Sequence, residues 1–212
     1  MNREMAKNHP LTLTWKDFFF AGINGAFFGL LLPVVLRTFN VELAMNYFLV
    51  VVFFIVLAIF GVYVGFLLGK VKPFFFQLAK FGATGAANFA LDIGVLSLLV
   101  TLFFRDASAI PNTYFVTFKV ISFSLATINS YLWNKFWSFN DKDTRAMTKE
   151  FGKFLSVSLV GMALNATVAG LFNYYHFATV DAKTWAAISA MVGAVAVLLW
   201  NFVGYKFFVF EK

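Results

Sequence analysis

Along the chain, long apolar runs alternate with short charged breaks. The runs cover residues 17–36, 45–69, 81–104, 116–137, 154–175 and 185–206. Each approaches or exceeds the roughly 20 apolar residues that a helix needs to cross a hydrocarbon layer about 30 Å thick. The pattern predicts an all-α integral membrane protein with about six transmembrane helices. Arg3 and Lys7 precede the first run as they would in a signal peptide. That run is long enough to span and lacks a small-residue cleavage site, so it is read as a retained anchor.

The polar positions inside the runs also follow a pattern. In the third run Gly85, Asn88 and Asp92 are spaced i, i+3, i+7 and share one helix face, as do Ser158, Gly161 and Asn165 in the fifth. The fourth run places Thr127, Ser130 and Asn134 on one face, and the sixth places Gly193, Asn201 and Gly204 along broadly one side. Stripes of small and polar residues face other helices, because lipid offers them neither close packing nor hydrogen bonds.

Those stripes belong to a repeat. KFGATGAANFALD (80–92) aligns with KFLSVSLVGMALN (153–165) at an offset of 73, pairing Lys80 with Lys153 and Asp92 with Asn165. NSYLWNKFWSF (129–139) aligns with NFVGYKFFVF (201–210) at an offset of 71, pairing Lys135 with Lys206. A two-helix unit is therefore expected twice, over about 80–139 and 153–210, entering the membrane from the same side each time. Residues 1–79 carry no echo of it and are read as an added N-terminal helical pair ahead of a four-helix domain at 80–212. A polar seam is expected where the two repeat units meet.

Composition agrees with a membrane setting. Of 212 residues, 61% are hydrophobic and 13% charged, more apolar surface than a soluble domain of this size hides. The spans put Arg3, Lys7, Lys16, Lys70, Lys72, Lys80, Lys135, Lys142, Arg145, Lys149, Lys153, Lys206 and Lys212 on one side, and only Arg37, Arg105, Lys119 and Lys183 on the other. This bias predicts that both termini are cytoplasmic. The formal charge of +7 then reflects orientation and attraction to anionic membrane lipids, and no nucleic-acid partner is expected.

Enzyme chemistry finds little support. The chain has no cysteine, and its two histidines, His9 and His176, lie in the N-terminal tail and an outer loop, so neither a metal site nor a cofactor is expected. A nucleophile with its base is missing, as is a glycine loop for ATP phosphates.

Two sets of residues remain as candidates. Asp92 is the acidic residue deep inside a span. A lone ionised carboxylate there costs about 2.5–3.5 kcal/mol, so it is expected to be protonated, paired or facing water. One reading is a packing hydrogen bond to a neighbour such as Asn88, and the other is a substrate or coupling-proton role. Lys135 and Lys206 close their spans at the inner surface, where a lysine snorkels toward headgroups. With Lys80 and Lys153 at the starts of the partner helices, and Asn134 and Asn201 nearby, they also suit a cationic, amide-lined pocket for a lipid phosphate. Lys119 near the outer start of the fourth run reads either as a snorkelling anchor or as a contact for a phosphate at the far leaflet.

KFGATGAANFALD, NSYLWNKFWSF, the second KF segment and NFVGYKFFVF, in this order over about residues 77–210, resemble the GtrA-like family of small polytopic membrane proteins. That family normally has four spans, so the leading pair is a departure. The resemblance implies translocation of a polyprenyl-phosphate-linked monosaccharide from the cytoplasmic to the outer leaflet of the cytoplasmic membrane, for cell-envelope glycosylation, often beside a membrane glycosyltransferase. Two other readings stay open: a non-transporting subunit that anchors such a glycosyltransferase, and a small ion-coupled exporter. Homo-oligomers are compatible with each. The family pattern lands on Asn201, Phe202 and Lys206 in the second unit, and on Asn134 and Lys135 in the first. There Ser130 stands where an asparagine is expected, and Asn129 is displaced by one residue, about 100° around the helix. Lys80, Asn88 and Asp92 match the opening segment well, and Lys153 and Asn165 match it more loosely. The path for the headgroup would then run along Asn88, Asp92, Asn165, Asn129, Ser130 and Lys119.

Overall fold

The computed structural model describes residues 11–38, 46–104, 110–175 and 180–210. Arg3, Lys7, His9, Arg105, His176 and Lys212 lie outside the described residues, as do the side chains of Arg37 and Lys183. The described chain is all helical: α1 (Trp15–Thr38), α2 (Tyr47–Gly69), α3 (Phe74–Phe103), α4 (Asn112–Trp133), α5 (Met147–Tyr175) and α6 (Ala182–Gly204). All six are long and apolar enough to cross a membrane. Helix is the form the sequence requires here, because hydrocarbon supplies no partners for backbone N–H and C=O groups.

The helix ends are set by local chemistry. Asp17 ties down the start of α1: its carboxylate accepts from Thr14 N at 2.9 Å and from the Thr14 hydroxyl at 2.8 Å, and Asp17 N donates to Thr14 O. Asn46 caps α2 by accepting from Phe48 N, and Asp181 caps α6 by accepting from Thr184 N. Several helices run past their hydrophobic runs. α3 begins at Phe74, not near 81, and α4 at Asn112, not near 116. Hydropathy marks the hydrocarbon-matched part of a helix and leaves its watery ends unmarked.

Two helices end in a wider turn. α4 continues into a π-helical segment, Asn134–Ser138, and α6 into another, Tyr205–Phe210. The two segments begin at positions related by the offset of 71 that aligns Lys135 with Lys206. Phe139 N donates to Asn134 O at 2.9 Å, the i to i−5 bond of this geometry. Asn140, with φ of 50°, then takes the chain out through the left-handed region that asparagine tolerates.

The chain forms two compact units, residues 1–140 and 141–212. In the first, α1 and α2 pack on each other and on α3, and α3 packs on α4. The added helical pair is thus part of the same unit as the first repeat hairpin. Glycines bring its backbones together: a Cβ at Gly25 would run into Phe54 O, one at Gly29 would lie 2.7 Å from Val51 Cα, and one at Gly65 would run into Ala79 Cβ. Ala21, Val62, Phe76 and Trp137 form the core, with Phe20 edge-on to Trp133 and Trp137 at ring separations of 5.3 and 6.1 Å. Each such aromatic pair contributes about 0.5–1.5 kcal/mol beyond its burial.

In the second unit α5 and α6 form a hairpin closed by aromatics. Tyr205 stacks on Phe154 at 4.1 Å, Phe172 stacks on Trp185 at 5.1 Å, and the Trp200 and Trp185 indoles donate to Val157 O and Phe172 O.

Candidate functional site

In the first unit, α3 carries Lys80, Thr84, Asn88 and Asp92 at four-residue intervals, one slowly turning stripe that rises about 18 Å. Each end and the middle of the stripe has a polar partner on another helix. At the lower end Lys80 Nζ lies 2.5 Å from Asp17 Oδ1, and 4.1 Å above the Phe76 ring. The Trp137 indole donates to the same Asp17 oxygen at 3.2 Å. Asp17 is only 5% exposed. One carboxylate thus joins the α1 cap, the α3 lysine and the π-helical turn after α4.

Half way up, Asn129 Nδ2 donates to Asn88 Oδ1 at 3.3 Å. At the upper end Lys119 Nζ donates to Asp92 Oδ2 at 2.6 Å, and the Ser122 hydroxyl donates to Asp92 Oδ1 at 2.7 Å. This ion pair is not sealed: the side chains of Lys119 and Asp92 keep 42% and 22% of their surface accessible. An ionisable pair inside a span that keeps access to its surroundings is a candidate functional site.

Several expectations change in detail. Asp92 does not bond to Asn88. A carboxylate in a span takes an ammonium when one is in reach, and the i, i+4 neighbour on its own helix is the weaker partner. Lys119, weighed as an outer anchor, is that ammonium. Asn129, displaced by one in the repeat, still reaches Asn88, because a side chain one position off its expected face bridges to a facing helix. Asn134 is 1% exposed and its Nδ2 turns back to Ser130 O at 2.8 Å and to the Ser130 hydroxyl at 3.2 Å, leaving its buried Oδ1 unsatisfied. Lys135 is fully buried, unlike a snorkelling lysine, whereas Lys206 is half-buried.

The second unit has its own series of contacts. Lys153 Nζ donates to Phe208 O at 3.2 Å, at the level of the π segment. Ser158 and the Tyr205 hydroxyl share a hydrogen bond of 2.6 Å. Higher up, asparagines meet glycines: Asn201 Oδ1 fills the space where Gly161 would carry a Cβ, and Asn165 Oδ1 does the same at Gly193. The buried Asn201 Oδ1 has no hydrogen-bond partner. By the repeat offsets, Gly161 corresponds to Asn88 and Gly193 to Ser122. The contact that is polar on both sides in the first unit is an amide against a bare backbone in the second.

Residues 80–210 match the GtrA/DPMS transmembrane domain. The chain belongs to that family. The GtrA/DPMS match begins at Lys80 and takes in both π segments, so Asp17, the partner of Lys80, comes from outside it. The chain is also 27% identical over 133 residues to the uncharacterized membrane protein YngA of Bacillus subtilis, covering 63% of this chain and 78% of that protein. No solved structure matches. Family and helices together make this an integral membrane protein, of a GtrA/DPMS group associated with polyprenyl-phosphate sugars and generally without catalysis.

Asp17, Ser122 and Trp137 were not legible as site residues. For Asp17 there was a partial signal: Thr14-x-x-Asp17 is a helix-start pattern, which gives the carboxylate a local role and names no partner on another helix. Ser122 and Trp137 gave none, because neither residue type is unusual on a membrane helix.

Proposed function

We propose that the chain binds a polyprenyl-phosphate-linked monosaccharide and moves it across the cytoplasmic membrane, for modification of a cell-envelope glycan. Both termini then lie in the cytoplasm. The observation that carries this reading is the polar stripe of α3, where Lys80 is held by Asp17 of α1, Asp92 holds Lys119 of α4, and the step between them is bridged by Asn88 and Asn129 of α4.

The chemistry is exchange. A phosphate that reaches Lys80 competes with Asp17 for its ammonium, and the Asp17 carboxylate keeps its hydrogen bonds from Thr14 and Trp137 when it yields that place. The amides of Asn88 and Asn129 give the sugar hydroxyls donors and acceptors in place of water. At the upper end the phosphate competes with Asp92 for Lys119, and repulsion from the displaced carboxylate favours departure. In the second unit Lys153, Lys206, Asn201 and Asn165 offer the matching groups along α5 and α6. Lys135, Asn134 and Ser130 hold the first hairpin's inner end in shape. The prenyl tail stays in lipid throughout, and a membrane glycosyltransferase is the natural source of the loaded carrier.

Photo-crosslinking tests this. A polyprenyl-phosphate monosaccharide with a diazirine on the sugar should label α3 and α4 around residues 84–92 and 119–130. Asn88→Leu with Asn129→Leu should abolish labelling while the protein stays folded. Labelling unchanged in that variant sinks the proposed path. Loss of glycosyltransferase association without any cargo labelling would instead fit a subunit that only anchors the enzyme.

A further inference from the structure

The first unit contains a second feature that the polar stripe does not use. A groove of about 330 Å³ lies between α1, α2 and α3, open along one side and lined by Gly25, Phe54, Ala58, Gly61, Gly82 and Ala86 among others. Its one polar residue, Asn24, bonds its Nδ2 to Phe20 O of its own helix at 2.9 Å. The groove is therefore a hydrocarbon surface at membrane depth.

The gap is framed, not loosely packed. α1 meets α2 backbone to backbone at Gly25 and Gly29, and α2 meets α3 at Gly65 and Ala79. Between these close approaches, a Cβ at Gly61 or Gly82 would meet nothing within 4 Å. Two glycines keep open a space that any larger residue would fill. Its lining of glycine, alanine, valine, leucine and phenylalanine suits a hydrocarbon chain.

Charge identifies the chain. Lys16 in the first turn of α1, Lys70 at the end of α2 and Lys72 in the turn before α3 all lie at one end of this unit, are exposed, and have no ion pair among the described residues. Val62, on the groove, is about 12 Å of helix rise from Lys70. One leaflet of hydrocarbon is about 15 Å deep. A headgroup phosphate at these lysines thus puts its own acyl chain at the groove. On α3 the lining residues Ala79, Gly82, Ala83 and Ala86 face largely away from Lys80, Thr84, Asn88 and Asp92, so this site is separate from the cargo path.

We propose that the groove holds one acyl chain of an anionic membrane phospholipid, whose phosphate is bound by Lys16, Lys70 and Lys72. It makes the added helical pair a lipid-binding element, and it stands whether or not the chain is a flippase. The test uses the purified full-length protein and phosphatidylglycerol carrying a diazirine midway along one acyl chain. Labels are expected on residues 54–62 and 79–86. In a Gly61→Leu, Gly82→Leu variant those labels should fall about tenfold, the loss of roughly two buried methylene contacts, while labels near Phe48 and Phe53 persist. Lys70→Gln with Lys72→Gln should remove the preference over phosphatidylcholine. Groove labels insensitive to the leucines, or equal labelling by phosphatidylcholine in the wild-type protein, overturn the proposal. Displacement of the label by equimolar polyprenyl phosphate also overturns it, and gives the groove to the cargo's tail instead. Unchanged thermal unfolding of the leucine variant excludes misfolding as the cause of a loss.

Discussion

Breaking the Asp92–Lys119 ion pair one partner at a time gives different costs for the two partners. Lys119→Met removes the ammonium 2.6 Å from Asp92 and leaves the Ser122 hydroxyl at 2.7 Å. A lone carboxylate in a span costs about 2.5–3.5 kcal/mol, and the Ser122 bond with partial access lowers the expectation to about 2–3 kcal/mol. Asp92→Asn leaves a lysine whose accessible side chain can turn toward the membrane surface, so about 1 kcal/mol is expected. The double variant carries no charge at the site and should also cost about 1 kcal/mol, a coupling of about 2–3 kcal/mol. Equilibrium unfolding in mixed micelles, followed by helix content, measures all four corners of this cycle. Single costs that add to within about 0.5 kcal/mol in the double variant would show that the two groups do not interact, and the upper end of the polar stripe would lose its basis.

Other changes probe the packing. Gly82→Ala, with open space at its Cβ, should stabilise the protein by about 0.5–1 kcal/mol, whereas Gly161→Ala, against Asn201 Oδ1, should destabilise it by about 1–3 kcal/mol; thermal unfolding of the two variants decides. Asp17→Ala removes a cap and the partner of both Lys80 and Trp137, so a stability loss of about 2–4 kcal/mol should accompany a shift in tryptophan emission. An emission spectrum identical to wild type would exclude the Trp137 contact. Asn201→Leu replaces a buried oxygen that lacks a partner, so unfolding should shift by less than about 1 kcal/mol while cargo labelling falls. Labelling at wild-type level in that variant would remove Asn201 from the path.

The fold was legible where one physical demand dominates. A helix in hydrocarbon must be about 20 apolar residues long, and the six runs of the sequence are the six spans, off only at their ends. Asp92 was legible as a residue that needs a partner, because a charge in a span is costly wherever it sits. Its partner was not, since Lys119 lies 27 residues away and only the crossing of α3 and α4 brings it close. Asp17 escaped for a related reason. It stands at the edge of the first run, where a carboxylate is ordinary, and its meaning comes from Lys80 and Trp137 at the same depth. The π-helical turns at Asn134 and Tyr205 have no period of their own in a five- or six-residue stretch, although the repeat had already paired those positions.

The most direct measurement is translocation in liposomes reconstituted with the full-length protein and a polyprenyl-phosphate monosaccharide, reading headgroup exposure on each leaflet over time. Exchange faster than in protein-free liposomes, reduced at least tenfold by Asn88→Leu with Asn129→Leu, is the predicted result, a loss of about 1.4 kcal/mol of path stabilisation. Exchange at the protein-free rate, with the wild-type protein folded and the carrier present, would contradict the account.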